Sequence, residues 1–363
     1  MHARVGTRLR MGILALLLAL GAAGCRSMGP DRIRSGRDDY NAAIQQTSSE
    51  QLLLNIVRLR YRDIPLFLEV TSVTTKFSTG ASTAATGAFA SGTRSTFGLA
   101  AGATYTESPT VTYAPLQGEQ FVTQMLTPVN LNTIVLLYHS GWSVDRILRL
   151  CAKSMNGLQN APGASGPTPA LAPEFRDFQR ASALLREMQQ GGGVELGLNT
   201  EAAQPALLHL RDEAPLSEAA REFSRLLGVT DGEARYGLSA GLYAPGAEHI
   251  TVSLRSLMAI LFYVSQGVSV PDAHAAAGLV TITRETDGSE FDWSEVTDGL
   301  IEVRSGMESP ATAYVAVPYR GAWFWIDDAD LASKSTFALL MQLLALQSGE
   351  VDSAAPVLTL SVD

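Results

Sequence analysis

The sequence predicts an α+β fold: a helical N-terminal module carrying a long Gly/Ser/Thr-rich β-hairpin, followed by a mixed α+β C-terminal domain. Three observations predict it. Apolar residues recur at helical spacing both before and after residues 67–115. Between Phe67 and Pro115 the period changes to two, in a run rich in Thr, Ser, Ala and Gly. Beyond residue 173, short strand-like and helix-like segments follow one another without a regular alternation.

At the N-terminus, Arg4, Arg8 and Arg10 stand in a stretch without acidic residues, followed by the apolar run MGILALLLALGAAG. A charged region, a short apolar region and small residues at its exit make a secretory signal over 1–24. The run is shorter than the ~20 apolar residues a spanning helix needs. The segment Gly21-Ala22-Ala23-Gly24-Cys25 resembles the lipobox of bacterial lipoproteins, with Ala22 where that pattern has Leu and with Leu20 nearby. The resemblance implies cleavage before Cys25, a diacylglyceryl group on its sulfur, and a tether over 25–37. More than one acyl chain, at ~0.8 kcal/mol per buried CH₂, makes such an anchor stable. Arg26, rather than Asp, follows the cysteine. In the sorting rule attached to that resemblance, this directs the chain to the outer membrane, facing the periplasm.

The helical module spans 38–155. A first helix is expected to start near Ser48, where Thr47 with Glu50, or Ser48 with Gln51, makes a capping box. Leu52, Ile56 and Leu59 share its apolar face, Asn55, Arg58 and Arg62 point elsewhere, and Pro65 closes it. The hairpin occupies about 67–114. Phe97, Leu99, Ala101, Ala103 and Tyr105 alternate with Thr96, Gly98, Ala100, Gly102 and Thr104. Val73, Phe77, Ala81, Ala85 and Phe89 share one parity in the first arm, and Ser91-Gly92-Thr93-Arg94 suits the turn. Helices are expected at about 118–127, 130–139 and 143–155. The Pro/Gly/Ser/Ala stretch 156–173 then reads as a linker to a domain over 174–363. In that domain VELGL, ALLHL, HITVS and PVLTLSV read as strands. EFRDFQRASALLREM, SEAAREFSRLLG, LRSLMAILFYVSQG and a last helix holding Phe337, Leu340, Met341 and Leu344 read as helices. AYVAVPYRGAWFWID reads as a hairpin turning at Arg320-Gly321.

Several patterns resemble chemical sites. Gly237-Leu238-Ser239-Ala240-Gly241 matches a nucleophile elbow, but the residues after it, including Pro245-Gly246, favour strand and turn over the helix that motif needs. A glycine-bearing strand is expected, with hydrolysis through Ser239 a remote alternative; no flanking context orients His249 or His274. Asp327-Asp328-Ala329-Asp330 precedes a helix, where carboxylates cap free amides, and no further calcium-loop ligands follow. The five histidines are scattered, so neither a metal nor another cofactor is expected. Cys151 falls on the apolar face of DRILRLCAKSM and reads as a small buried thiol. Trp323 and Trp325 share one face of a strand, with Phe324 on the other, as core packing or as a partner surface.

A net charge of −9 with only three lysines (Lys76, Lys153 and Lys334) argues against nucleic-acid binding. Two stretches, EQLLLNIVRLRYRDIPLFLEVTSVTT (50–75) and YRGAWFWIDDADLASKSTFALLMQLLALQSG with PVLTLSV (319–362), resemble an uncharacterised family of proteobacterial lipoproteins. That resemblance implies an envelope lipoprotein and no particular activity. The expected function is non-enzymatic: a structural or interaction role at the periplasmic face of the outer membrane, with lipid, copies of itself or envelope proteins as partners. The alternative is a subunit of a homo-oligomeric β-barrel pore or export channel, with Phe77, Phe89, Phe97, Leu99 and Tyr105 facing lipid. Metabolic labelling with palmitate is expected to mark the wild-type chain and to leave Cys25→Ser unmarked and in the soluble fraction.

Overall fold

The computed structural model describes residues 28–88, 96–116, 118–198, 206–210, 217–230, 235–241, 246–348 and 358–361. The signal segment, Cys25 and Phe89 lie outside the described residues. The class is α+β. The chain divides into two compact units, Met1–Gln51 and Leu52–Asp363.

Helix α1 is Met28–Arg60, so the helix expected to begin near Ser48 starts some twenty residues earlier. The Thr47 hydroxyl donates to the carbonyls of Ala43 and Ile44 at 2.9 and 3.1 Å, and that of Ser49 to Gln45 at 3.0 Å. Hydroxyls bonded back to the preceding turn sit inside a helix; they cap nothing.

Within the second unit, Leu52, Leu53, Ile56, Val57 and Leu59 are buried. Asn55, expected to point away from the core, is fully buried. Its amide donates to the Leu66 carbonyl at 2.7 Å and its side-chain oxygen accepts from the Leu66 amide at 2.9 Å. A single side chain thus imitates a strand neighbour and fixes the turn from α1 into β1 (Leu68–Ala88). β1 pairs antiparallel with β2 (Thr96–Pro115), and β12 (Leu358–Ser361) pairs with the base of β2.

After the ladder come α2 (Glu119–Leu126), α3 (Leu131–His139) and α4 (Val144–Cys151). The last is shorter than expected, because Ala152–Met155 is strand β3. The stretch expected as a linker is packed instead. It holds β4 (Leu158–Gln159) and a 3-10 turn, Pro162–Ser165, and buries Asn160, Ala161, Ala164 and Thr168. Beyond it lie α5 (Arg176–Gln190), β5 (Val194–Leu198), β6 (Ala206–Leu210), α6 (Ser217–Leu227), β7 (Arg235–Ala240) and β8 (His249–Leu254). One six-stranded sheet, in the order β4-β3-β8-β7-β6-β5, joins residues from both sides of the supposed boundary. Composition misled here because Pro, Gly and small residues also suit a tight buried turn.

The chain continues through α7 (Leu257–Ser265), the short helices α8 (Asp272–Ala276) and α9 (Ser294–Thr297), β9 (Arg304–Gly306), β10 (Val315–Tyr319), β11 (Ala322–Ile326) and α10 (Leu331–Ser348). β10, β11 and β9 form a small antiparallel sheet. Its hairpin turns at Arg320 and Gly321, with φ of 49° and 83°. Positive φ at both central residues matches the twist of the flanking strands.

Arg255, 1 % exposed, ties these layers together. Nη1 donates to the carbonyls of Arg149, Leu150 and Ala152 at 3.0, 3.1 and 2.7 Å, and Nε to Ser165 Oγ at 3.0 Å. Nη2 donates to the Asn160 carbonyl, and the Tyr263 ring lies 3.9 Å below the guanidinium. Burial lowers the Arg255 pKa to about 10, so it stays cationic at neutral pH. Its charge is met by carbonyl dipoles, including those at the end of α4, rather than by a carboxylate. Lysine offers only three donors on a flexible stem and cannot reproduce the fork. Both Arg255→Lys and Arg255→Met are expected to destabilise the fold by more than about 4 kcal/mol, since several buried carbonyls lose their donor. Urea unfolding of the purified variants measures this.

Candidate functional site

The most unusual feature is the β1–β2 ladder. Thr favours extension, and the two arms pair over their whole described length even though Ala and Gly, which strands disfavour, are frequent in them. Its base is rooted in the core: Phe67, Thr112 and Ala114 are buried, Phe67 packs on Phe121 at 5.9 Å, and the Leu116 amide donates to the Phe67 carbonyl at 2.9 Å. A register shift between Val70 and Ser72 leaves Thr71 as an extra residue at that base.

Above the bulge the register is unbroken from Ser72↔Thr112 to Ala88↔Thr96. Odd positions therefore oppose odd positions: Phe77 Glu107, Thr79 Tyr105, Ala81 Ala103, Ala85 Leu99 and Gly87 Phe97. Even positions oppose even ones: Ser78 Thr106, Ser82 Gly102 and Thr86 Gly98. Residues of one parity lie on one face of a strand. The pairing thus collects the large apolar residues of both arms, Phe77, Phe97, Leu99 and Tyr105, into one row with Ala and Thr, and most of the Ser and Gly into the other with Thr and Ala. Among the described side chains of the even row, Ser72, Thr74, Ser78, Ser82, Thr104 and Thr106 are exposed. The side chains of Phe77, Phe97, Leu99 and Tyr105 lie outside the described residues; their register places them all in the odd row.

Both edges of the ladder are open among the described residues. β1 has β2 as its one strand neighbour, and β12 covers β2 only at Thr110–Tyr113. From Thr79↔Tyr105 to Ala88↔Thr96, ten residues per arm carry no charge and no proline. Among the described residues no third strand pairs with either arm there, and an open edge of this kind accepts another strand.

The other predicted positions resolve differently. Asp330 caps α10, accepting from the Ser333 amide at 3.0 Å; Asp327 accepts from the Ala329 amide at 2.9 Å, and Asp328 pairs with Lys334 at 2.7 Å. Among the described residues no group of His, Cys and carboxylates has the arrangement to hold a metal ion. Cys151 is buried and its thiol pKa is pushed up to about 12 by that burial, which removes thiolate chemistry at neutral pH. Trp323 and Trp325 are half-buried, opposite the buried Phe324, and the Trp325 ring covers Gly306 across the sheet.

Ser239 Oγ and His249 Nε2 are 2.7 Å apart, although the sequence offered nothing to orient His249. The parallel register of β7 and β8 brings them together, with Gly237 opposite His249 and Ser239 opposite Thr251. The distance suits a nucleophile and its base. However, Ser239 lies within a strand, and the next described element is β8 rather than a helix, so the exposed elbow does not form. As it stands the pair is a cross-strand polar contact.

A second cluster went unnoticed in the sequence because its members are some 250 residues apart. Tyr319 and Arg320 in the β10–β11 turn both donate to the Asp63 carboxylate, Arg320 at 2.8 Å. Tyr61 shares a 2.7 Å hydrogen bond with His274 Nδ1 and meets Tyr319 and Phe324 edge-on. Arg62 and Arg320 both have positive φ, a strain that the surrounding contacts hold in place. Burial pushes the Tyr61 hydroxyl up to about 12. The Tyr319 hydroxyl, and then Arg320, hold the Asp63 carboxyl below its ordinary range. A depressed carboxyl stabilises the fold above its unfolded pKa, ~3.9, and loses that contribution as pH falls through the lower folded value. The melting-temperature gap between wild type and Asp63→Asn is therefore expected to be full at pH 7 and to narrow as pH falls below about 4. Comparison with protein-family models, with curated proteins and with solved structures returns no match.

Proposed function

We propose that this chain is a lipid-anchored, non-enzymatic protein of the bacterial outer membrane, and that copies of it join edge to edge through β1 and β2 to close a membrane-spanning β-barrel. The signal segment and Cys25 would bring the folded body to the periplasmic face. The observation that carries the reading is the register, which gathers the large apolar residues of both arms into one row while no third described strand pairs with the distal part of either arm. A transmembrane strand needs ~9–11 residues. The ten uncharged residues of each distal arm match that length, with Tyr105 at their lower limit, where aromatic girdles stand, and Lys76 and Glu107 just outside it.

An isolated hairpin leaves backbone groups unpaired in lipid, so only a closed ring is stable there. With two strands per copy and barrels starting at ~8 strands, about four or more copies are required. Next-neighbour pairing of β2 with the following copy's β1 keeps the whole wall antiparallel. No described helix is long and apolar enough to cross a membrane, so the described chain offers no helical route across. A second reading, in which the ladder docks on another envelope protein, draws on the threonines Thr75, Thr79 and Thr83 within the odd row.

The lipidated full-length protein, extracted in mild detergent, is expected to form rings by electron microscopy and to give stepwise conductance in planar bilayers. Joining Ser78 to Thr106 through an Asn-Gly turn should abolish both while leaving the thermal transition of the body in place. Ala101→Arg in the odd row should cost about 2–4 kcal/mol of membrane insertion, whereas Thr104→Arg in the even row should alter ion selectivity alone. A wild-type protein that stays monomeric and silent in bilayers would refute the barrel.

A further inference from the structure

A cavity of about 800 Å³ opens between the segment following α7, the loop that holds α9, and the start of α10. Among the described residues its lining contains one cation, Arg60, which is 6 % exposed. Arg60 Nη1 donates to Thr168 Oγ1 and to the Thr281 carbonyl at 3.1 and 3.2 Å, while Nε has no partner. Among the described residues no ion pair involves Arg60; Glu290 acts on it through space. A second lining residue, Gln266, is 3 % exposed. Its amide nitrogen is satisfied by the Phe262 carbonyl and Ser265 Oγ, and its oxygen is left without a partner. A buried cation without a counter-ion and a buried acceptor without a donor are both costly unless something supplies what is missing.

The remaining charge on the wall is acidic. Asp292 and Asp330 are occupied in capping the Ser294 and Ser333 amides, and Glu302 pairs with Arg304. Asp272, Glu290 and Asp298 line the cavity, are exposed, and among the described residues engage no side-chain donor. The lining therefore offers one guanidinium to an anion and three unoccupied carboxylates to a cation. The volume lies in the range of sites for molecules larger than a single amino acid. Trp293, on the same wall and hydrogen-bonded to Thr283 Oγ1 at 3.0 Å, supplies an apolar surface and an optical reporter.

From this lining we propose that the cavity binds a short zwitterionic peptide, its carboxylate held by Arg60 and its ammonium by the carboxylates of Glu290, Asp298 and Asp272. This site belongs to the folded body and stands whether or not the ladder forms a barrel.

Trialanine is the probe, with its N-acetyl, its C-terminal amide and its doubly blocked forms as controls. At millimolar concentration trialanine is expected to raise the melting temperature of the full-length protein and to change its tryptophan fluorescence saturably; each singly blocked form should bind at least tenfold more weakly, and the doubly blocked form should not bind. Arg60→Gln should abolish discrimination between the acid and the amide. Because that variant alters a buried residue, Glu290→Gln serves beside it: its unliganded melting temperature should match wild type while discrimination against the N-acetyl form falls. Absence of any response to trialanine, or an equal response to the doubly blocked form, would overturn the assignment.

Discussion

The body of this protein is organised around a cation buried without a carboxylate. Arg255 stands between β8 and α7, and its guanidinium gathers the carbonyls of Arg149, Leu150, Ala152 and Asn160 with the Ser165 hydroxyl. Its own backbone does the same, since its amide donates to the Cys151 carbonyl at 2.7 Å and its carbonyl accepts from Val129 at 2.9 Å. Removing a guanidinium from water is expensive, and the expense is met only when nearly every N–H finds an acceptor. That demand fixes the end of α4, the start of β3 and the packed 3-10 turn at once. The six-stranded sheet then has no freedom to place β3 and β4 elsewhere.

The same logic of satisfying backbone groups through a side chain acts where the ladder meets the body. Asn55 does for Leu66 what Arg255 does for α4. It holds the chain against the core for one residue pair and releases it into β1. Beyond the bulge the ladder has no such support. Its stability there rests on cross-strand pairs alone, and two strands without a third layer are marginal in water. The proposed pairing with neighbouring copies would offset that marginality.

How legible was this in the sequence? The hairpin was, because a period of two over so long a run is a local signal, and the turn at Arg320-Gly321 was, because glycine there admits positive φ. The Asp327–Asp330 caps were legible for the same local reason. The register of the ladder was less so: the apolar residues of the first arm look sparse until pairing sets Phe77, Ala81 and Ala85 in one row with Leu99 and Phe97. What local pattern could not convey was long-range polar closure. Asn160 sits in a Pro/Gly-rich stretch that resembles a linker, yet it is fully buried and its amide nitrogen donates to the Arg149 and Ala152 carbonyls. Arg60 reads as an ordinary arginine near a helix end, and Tyr61 and Asp63 give no hint of Tyr319, because these contacts depend on the tertiary arrangement rather than on spacing along the chain.

Edge protection along the ladder is uneven, and that unevenness bears on its use. Soluble proteins blunt open edges with lysine, proline, bulges or a covering strand. Each of these devices is present, but only near the base: the shift at Val70/Ser72, Lys76, Pro109, and β12 over Thr110–Tyr113. From Thr79↔Tyr105 to Ala88↔Thr96 none occurs. A ladder meant to stay in water would need guarding most at the distal end, where the core is farthest away. Protection confined to the end that meets the body, with ten bare residues per arm beyond it, is the distribution expected when the distal edges are to be paired by neighbours and only the base is to remain wet.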